Sequence, residues 1–367
     1  MEFALSEDQR LLQSSMMGVL STASSLDEVR KVAAGEAGVA LSISGALSEL
    51  GAAQLRVPEI YGGLGLGALE AVLVQEALGA HVSPANFMAG SVMAAEAIKL
   101  AGDEVQKADW LGQIAGGDKH IGVALTEQVA RREGGGLTAS GSAGHKTLSG
   151  KALFALETEG ATDILVADNE GRLYLIAADG AEKLQTRTLQ TIDRTRVFTE
   201  IILEDVPAEE LLGDLNGPAT TERVIALGRL LLAADTLGAA QIMLDKAVDY
   251  AKERKQFGRV IGSFQAVKHM CAEMAAKLEP ARALVWHAAY LFDTEPDKAA
   301  LMACLAKSHM SEIGTFVART STEVHGGMGF TDLVGLHYWF KRIGVNRQLF
   351  GGPEKLREEA ARLQAWT

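Results

Sequence analysis

Cysteine is nearly absent. Two cysteines, Cys271 and Cys304, lie far apart in helical patterns. They offer neither a disulfide framework nor the paired spacing of a zinc site, so both are expected as buried structural thiols in a reducing compartment. Metal-ligand spacing is missing as well, since His120, His145, His269, His287, His309 and His337 are scattered. No Ser/His/Asp order with a strained nucleophile elbow is present. Positive charge is in deficit: the net charge is −12 and the pI about 5.2, which excludes non-specific nucleic-acid binding. An anionic ligand must therefore meet a local basic patch. The opening MEFALSEDQRLLQSS carries early acids and no apolar core of a leader. No apolar run reaches the roughly 20 residues of a membrane span, and Leu230–Ala234 reads as part of an amphipathic helix. The expectation is a soluble cytoplasmic protein without nucleic acid, membrane or metal.

The length, 367 residues, suffices for two or three domains around a substantial core. From Ser6 to about Gly116 the spacing is helical. Ser6 with Glu7 and Asp8 reads as a capped start, and Leu11, Leu12 and Met16 recur at three and four. VPEIYGGLGLG, residues 57–67, superficially matches a dinucleotide fingerprint, but Pro58 and the flanking helices deny it the strand-turn-helix context, so it reads as a loop. Between His120 and Leu212 short β-like runs alternate with Gly, Asn and Asp: HIGVALT, KTLSGKALFAL, TDILVAD, GRLYLIA and RVFTEIIL. Pro207 and Gly213 read as its close. Helical period then returns over 219–253, 263–292, 296–322 and 333–348, with a short helix from Pro353. The fold class is α+β: an N-terminal helical domain (1–117), a central β domain (118–213) and a C-terminal helical bundle (214–367). There are no internal repeats or low-complexity tracts.

The most informative passage is ERKQFGRVIGSFQAVKHMCAEM, Glu253 to Met274. Arg254 and Lys255 end one helix as a cationic fork beside an expected glycine C-cap at Gly258, which suits a pyrophosphate; the next helix, starting near Ser263, places Gln265, Val267 and Lys268 on its first turns, where free N–H groups can meet another part of an extended dinucleotide. Mixed charge of this kind ordinarily marks a solvated helix end. Two further segments decide against that: EVHGGMGF, residues 323–330, with its paired glycines, and IGVALTE, residues 121–127. The three together resemble the acyl-CoA dehydrogenase family over nearly the whole chain and in the order of parts. The resemblance implies FAD as cofactor. It implies that Leu125 and Thr126 contact FAD of their own subunit. It further implies that Arg254, Gln256, Phe257, Phe264, Gln265 and Glu323, Val324, His325, Gly326 and Gly327 contact FAD held mainly by a neighbour. His325 could equally be a satisfied core histidine. Trp286, Tyr290 and Phe292 fit one helix face and read as core.

The implied reaction removes the α proton of an acyl-CoA thioester while the β hydrogen leaves as hydride, and it needs a positioned carboxylate. In the family this is a glutamate at one of two places. At the first, this sequence has Phe350 or Gly351 within QLFGGP; at the second it has Gly228, followed by Arg229. Asp235, seven residues on, shares the helical face but sits roughly 10 Å along the axis. Glu354, after Gly-Pro, reads as an acid favoured by the helix dipole. The catalytic residue is therefore unassigned. Gln128 and RREGGG replace the family's usual run in the loop that meets thioester and CoA, and Lys151 to Phe154 lacks its tryptophan. LFGGP with a short helix is similar to the base-lacking partner in α2β2 steroid side-chain dehydrogenases. The resemblance thus implies an acyl-CoA substrate, a homologous second subunit and a flavoprotein electron acceptor. A homo-oligomer using an atypical base such as Asp235, and a non-catalytic binding paralogue, remain open at this point.

Overall fold

The computed structural model describes residues 4–142, 145–179 and 183–366. Its N-terminal part is helical: α1 Glu7–Ala23, α2 Leu26–Ala33, α3 Val39–Ser48, α4 Ala68–Ala80, α5 Ala95–Ala101, and the short α6 Glu104–Gln106 and α7 Gly112–Gly116. Ser6 caps α1 as its residue type predicts, accepting from Gln9 N–H at 3.1 Å while Gln9 Oε1 accepts from Ser6 N–H at 2.9 Å. The buried stripe of α1 is Met16 and Leu20, whereas Leu11 is 65% exposed. The 57–67 segment is a loop with one 3-10 turn, Glu59–Tyr61. Gly63 is required for packing: a Cβ there would lie 2.0 Å from the Val57 carbonyl oxygen.

The sheet holds β1 Ile121–Ala124, β2 Gly136–Ser142, β3 His145–Leu156, β4 Asp163–Ala167, β5 Leu173–Ala177, β6 Leu184–Leu189 and β7 Phe198–Glu210, with the one-turn α8 Thr126–Val129 after β1. The order is β2-β3-β1-β4-β5-β7-β6, and β3 also pairs with β7, so five strands close into a ring with β2 and β6 as flanks. Leu148, Ile164, Tyr174, Ile201 and Val206 fill it. Two strands escape a reading by hydrophobic pattern. Both β2 (GLTASGS) and β6 (LQTRTL) are mostly exposed, so burial imposes little apolar alternation on them. Pro207 does not close the domain. β7 runs through it, opposite Thr147, to Glu210.

The C-terminal part is α9 Pro218–Glu253, a two-strand hairpin (β8 Lys255–Gln256, β9 Arg259–Val260), α10 Gln265–Thr294, α11 Ala299–His325, α12 Leu336–Gln348 and α13 Pro353–Leu363. Leu230–Ala234 is not amphipathic: Leu230, Leu231, Leu232, Ala233 and Ala234 are all buried, on every side of α9. Among the described residues α9 is the one helix long and apolar enough to cross a membrane, but 89% of its apolar window is buried, which marks a core helix. Glycine lets it cross α4 backbone to backbone. A Cβ on Gly238 would lie 1.9 Å from Glu76 O, and one on Gly79 2.0 Å from Asp235 O. Cys304 is buried, whereas Cys271 is only half-buried. Of the three aromatics read as core, only Phe292 is buried; Tyr290 is exposed.

Two compact units follow from the packing. One comprises Met1–Glu36, Val72–Pro84 and Arg229–Thr367, the other Ala37–Ala71 and Ala85–Gly228.

Candidate active site

In the first unit α9 ends at Glu253, and the next residues form a hairpin rather than a helix cap. Lys255 pairs with Val260 and Gln256 with Arg259. Phe257 and Gly258 have φ of 53° and 77°, the two successive positive values of a type I′ turn. Gly258 is therefore a hairpin glycine, not a C-cap. The turn presents the Phe257 ring to solvent, 91% exposed and edge-on to Phe264 at 6.1 Å, while the Arg259 guanidinium sits 4.0 Å over Phe264. Arg254 is exposed, and among the described residues no acid pairs with it. Gln256 Nε2 donates to Lys255 O at 2.7 Å. Phe264 stands at the N-cap of α10 without a side-chain cap, which leaves the N–H groups from Gln265 onward for a ligand or water.

The 323–330 turn lies in the same unit. Tyr250, four residues before Arg254, stacks on His325 at 4.6 Å and so joins the end of α9 to the end of α11. His325 is a core histidine. Its Nδ1 meets Ser321 O at 2.8 Å, and burial lowers its pKa, so it is neutral near pH 7. Val324 is buried too. What the turn turns outward is Glu323 with the backbone of Gly326 and Gly327, where an added Cβ would meet nothing within 4 Å. Only Gly326 uses a positive φ, 58°.

The second unit carries Leu125 and Thr126. Strand β1 stops at Ala124, so both stand just past its end rather than on it. The Leu125 side chain is core, leaving its backbone as the part able to meet a ligand. Thr126 Oγ1 donates to Leu153 O, so its remaining capacity is as an acceptor. Phe154, at φ 52°, turns its ring edge-on to buried Phe198 at 5.9 Å. The RREGGG loop is anchored by Arg132, which pairs with Glu127 at 3.1 Å and Glu200 at 3.0 Å. A cavity of about 400 Å³ in the same unit is lined by Lys146, Asp168, Asn169, Arg172 and Glu210.

Neither base position carries an acid. Phe350 is buried at φ 52° and Gly351 follows at φ 104°. Arg229 Nε donates to Phe350 O at 3.0 Å, and its two terminal nitrogens grip Glu359 at 2.7 and 2.8 Å. Lys307 Nζ donates to Gly351 O at 2.7 Å. Asp235 is wholly enclosed: it accepts from Gln75 Nε2 at 2.8 Å and Asn346 Nδ2 at 2.7 Å, with Arg342 at 3.5 Å. Glu354 stands in the first turn of α13, as read, and pairs with Arg347 at 3.0 Å. The pairing of Arg229 with Glu359, and the buried Lys307, are not foreseen from the sequence. A signal existed for Lys307, which shares the face of the buried Ala303, Met310 and Gly314.

An unpaired arginine, an uncapped helix start and a glycine backbone open to close approach fit an extended, anionic dinucleotide. The sequence matches the family description "Acyl-CoA dehydrogenase, N-terminal domain" over residues 6–118 and "Acyl-CoA dehydrogenase, C-terminal domain" over 216–363. It is 32% identical over 367 aligned residues to acyl-CoA dehydrogenase IpdE2 of Mycolicibacterium smegmatis, covering 98% of this chain and 99% of that one. Among solved structures, the ChsE4–ChsE5 complex from Mycobacterium tuberculosis has a TM-score of 0.90 at 25% identity, with full coverage of both chains. A variant of the Tcur3481–Tcur3483 steroid ACAD gives 0.88 at 29%, covering 98% of each. The chain belongs to the acyl-CoA dehydrogenase family. It is an FAD-dependent oxidoreductase with that family's fold of an N-terminal helical domain, a central sheet domain and a C-terminal helical domain.

Proposed function

We propose that this chain is one subunit of a heteromeric acyl-CoA dehydrogenase whose catalytic glutamate stands on a second, homologous chain, in an α2β2 assembly. The observation that carries the reading is the state of the two base positions. Gly228 offers no carboxylate, and the loop at Phe350 and Gly351 is committed through its carbonyls to Arg229 and Lys307. Asp235 weighs against a self-sufficient homomer, because its carboxylate is bound on both oxygens and has no exposure.

Bound FAD supplies the hydride acceptor. This chain's part is to hold it: Arg254 answers the pyrophosphate charge, the α10 start donates N–H groups, and Gly326 and Gly327 admit close approach. Gln256, Phe257, Phe264, Gln265 and Glu323 complete the surface. Those residues would meet FAD held mainly by a neighbour, whereas the Leu125 backbone and the Thr126 hydroxyl oxygen would meet the FAD of their own subunit. Val324 and His325 act from beneath, through packing. An acyl-CoA thioester is the substrate class; exposed Arg131 supplies a cation in the sheet unit for its phosphates. The likeness to the Tcur3481–Tcur3483 steroid ACAD supports a steroid side-chain acyl group, and a flavoprotein is the electron acceptor. Domain boundaries at 117/118 and 213/214 and a cytoplasmic location belong to the same reading.

Co-expression with homologous chains, a tag on this one, and the flavin spectrum with the subunit ratio test it. A yellow complex in equal ratio with a glutamate-bearing chain is expected. A yellow, active homomer of this chain overturns the reading, and a colourless protein in every combination points to a binding role.

A further inference from the structure

Lys307 is a buried ionisable group outside the proposed flavin-contact residues. It is 1% exposed on α11, and its amine has two partners, Gly351 O at 2.7 Å and Arg347 O at 3.3 Å. Among the described residues it forms no ion pair. A neutral amine has two N–H bonds, matching two carbonyls; an ammonium has a third, and among the described residues no further acceptor is bonded to it. The charged groups facing it from neighbouring elements are already matched. Arg229 of α9 is gripped by Glu359 of α13, and Arg347 of α12 pairs with Glu312 and Glu354. Cys304, one turn away, has its thiol pushed up to about 12 by burial and stays uncharged. Protonating Lys307 therefore adds an uncompensated charge beside Arg229 inside the protein.

We propose that Lys307 is a positioning residue for the Leu349–Gly352 loop. As a neutral amine it clamps the carbonyls of Arg347 and Gly351 and keeps Phe350 turned inward, and on gaining a proton it loosens the loop. Arg229, fixed to Phe350 O, is the second, pH-independent half of the clamp. Burial, reinforced by Arg229, draws the Lys307 pKa down to about 7, which places the transition near neutrality. The loop occupies one of the two base positions, so its shape bears on how this chain closes the site. The inference rests on this chain's own contacts and stands whether the enzyme is a heteromer or a homomer.

The test is amide hydrogen exchange of residues 345–352 in the assembly as purified, between pH 6.0 and 8.5, with the intrinsic pH dependence of exchange divided out. Wild type is expected to lose protection there on the order of tenfold at the acid end, following the protonated fraction, while Lys307→Met shows a flat profile. A flat wild-type profile, or an unchanged slope in Lys307→Met, overturns the proposal. Should Lys307→Met not fold, carbon-13 NMR of the labelled Lys307 side chain in wild type decides. A titration near 7 supports the clamp, and one above 9 ends it.

Discussion

Arg342 and Asp235 are both fully buried, and removing one charge strands the other. Arg342 also holds the carbonyls of Val82 and Ser83, with Val82 at φ 43°, a conformation its branched side chain resists. Asp235→Ala should therefore cost about 3–5 kcal/mol in denaturant unfolding, the usual penalty for breaking a buried pair. The isosteric Asp235→Asn should leave flavin reduction by substrate intact when the folded fraction is assayed; a loss of turnover with flavin retained would restore Asp235 as a base. Lys307 gives a pH prediction. Its folded pKa lies below the unfolded one, so between about 7 and 10.5 the unfolded chain binds the extra proton and stability rises with pH. The contribution is about 1.4 kcal/mol per pH unit. Subtracting the Lys307→Met profile should remove that slope and isolate it from the thiols. None of this carbonyl bonding is legible in sequence, since a backbone acceptor leaves no residue signature; the absence of an acid at Gly228, Phe350 and Gly351 is.

The helices were legible because burial on one face imposes the spacing. Segments expected at 219–253 and 263–292 are found at Pro218–Glu253 and Gln265–Thr294. The failures have physical causes. Exposed β2 and β6 carry no buried face to pattern them, and the middle of α9, residues 224–240, buried on every side, loses the polar stripe that identifies an amphipathic helix. The hairpin was missed because a helix end and a type I′ turn both call for glycine, and Phe257 rarely occupies positive φ. That turn yields a test: Gly258→Val should unfold the hairpin locally, while Phe257→Ala should leave the melting temperature within a few degrees, as expected for an exposed residue. If the ring faces FAD or a second subunit, Phe257→Ala should instead weaken flavin retention during gel filtration. Unchanged retention would remove Phe257 from the site. At the other end of the chain, Ser6→Ala should cost about 1 kcal/mol through loss of the cap.

At the scale of the whole molecule, the order of helical, sheet and helical parts was readable from texture alone, and the family from three short motifs. Which side chains are already spent was not, because that depends on contacts made in the fold. Thr126, His325, Arg229 and Asp235 each have chemistry to offer by type, and each is wholly or partly engaged within the fold. What stays open is the outward surface formed by Arg254, Phe257, the α10 start and the Gly326–Gly327 backbone. The most direct measurement is anaerobic flavin reduction by an acyl-CoA in the purified two-chain complex, with and without a glutamate-to-glutamine change in the partner chain. The account predicts rapid bleaching that the partner's change abolishes while flavin stays bound. Bleaching that survives that change, or that occurs in this chain alone, would contradict it.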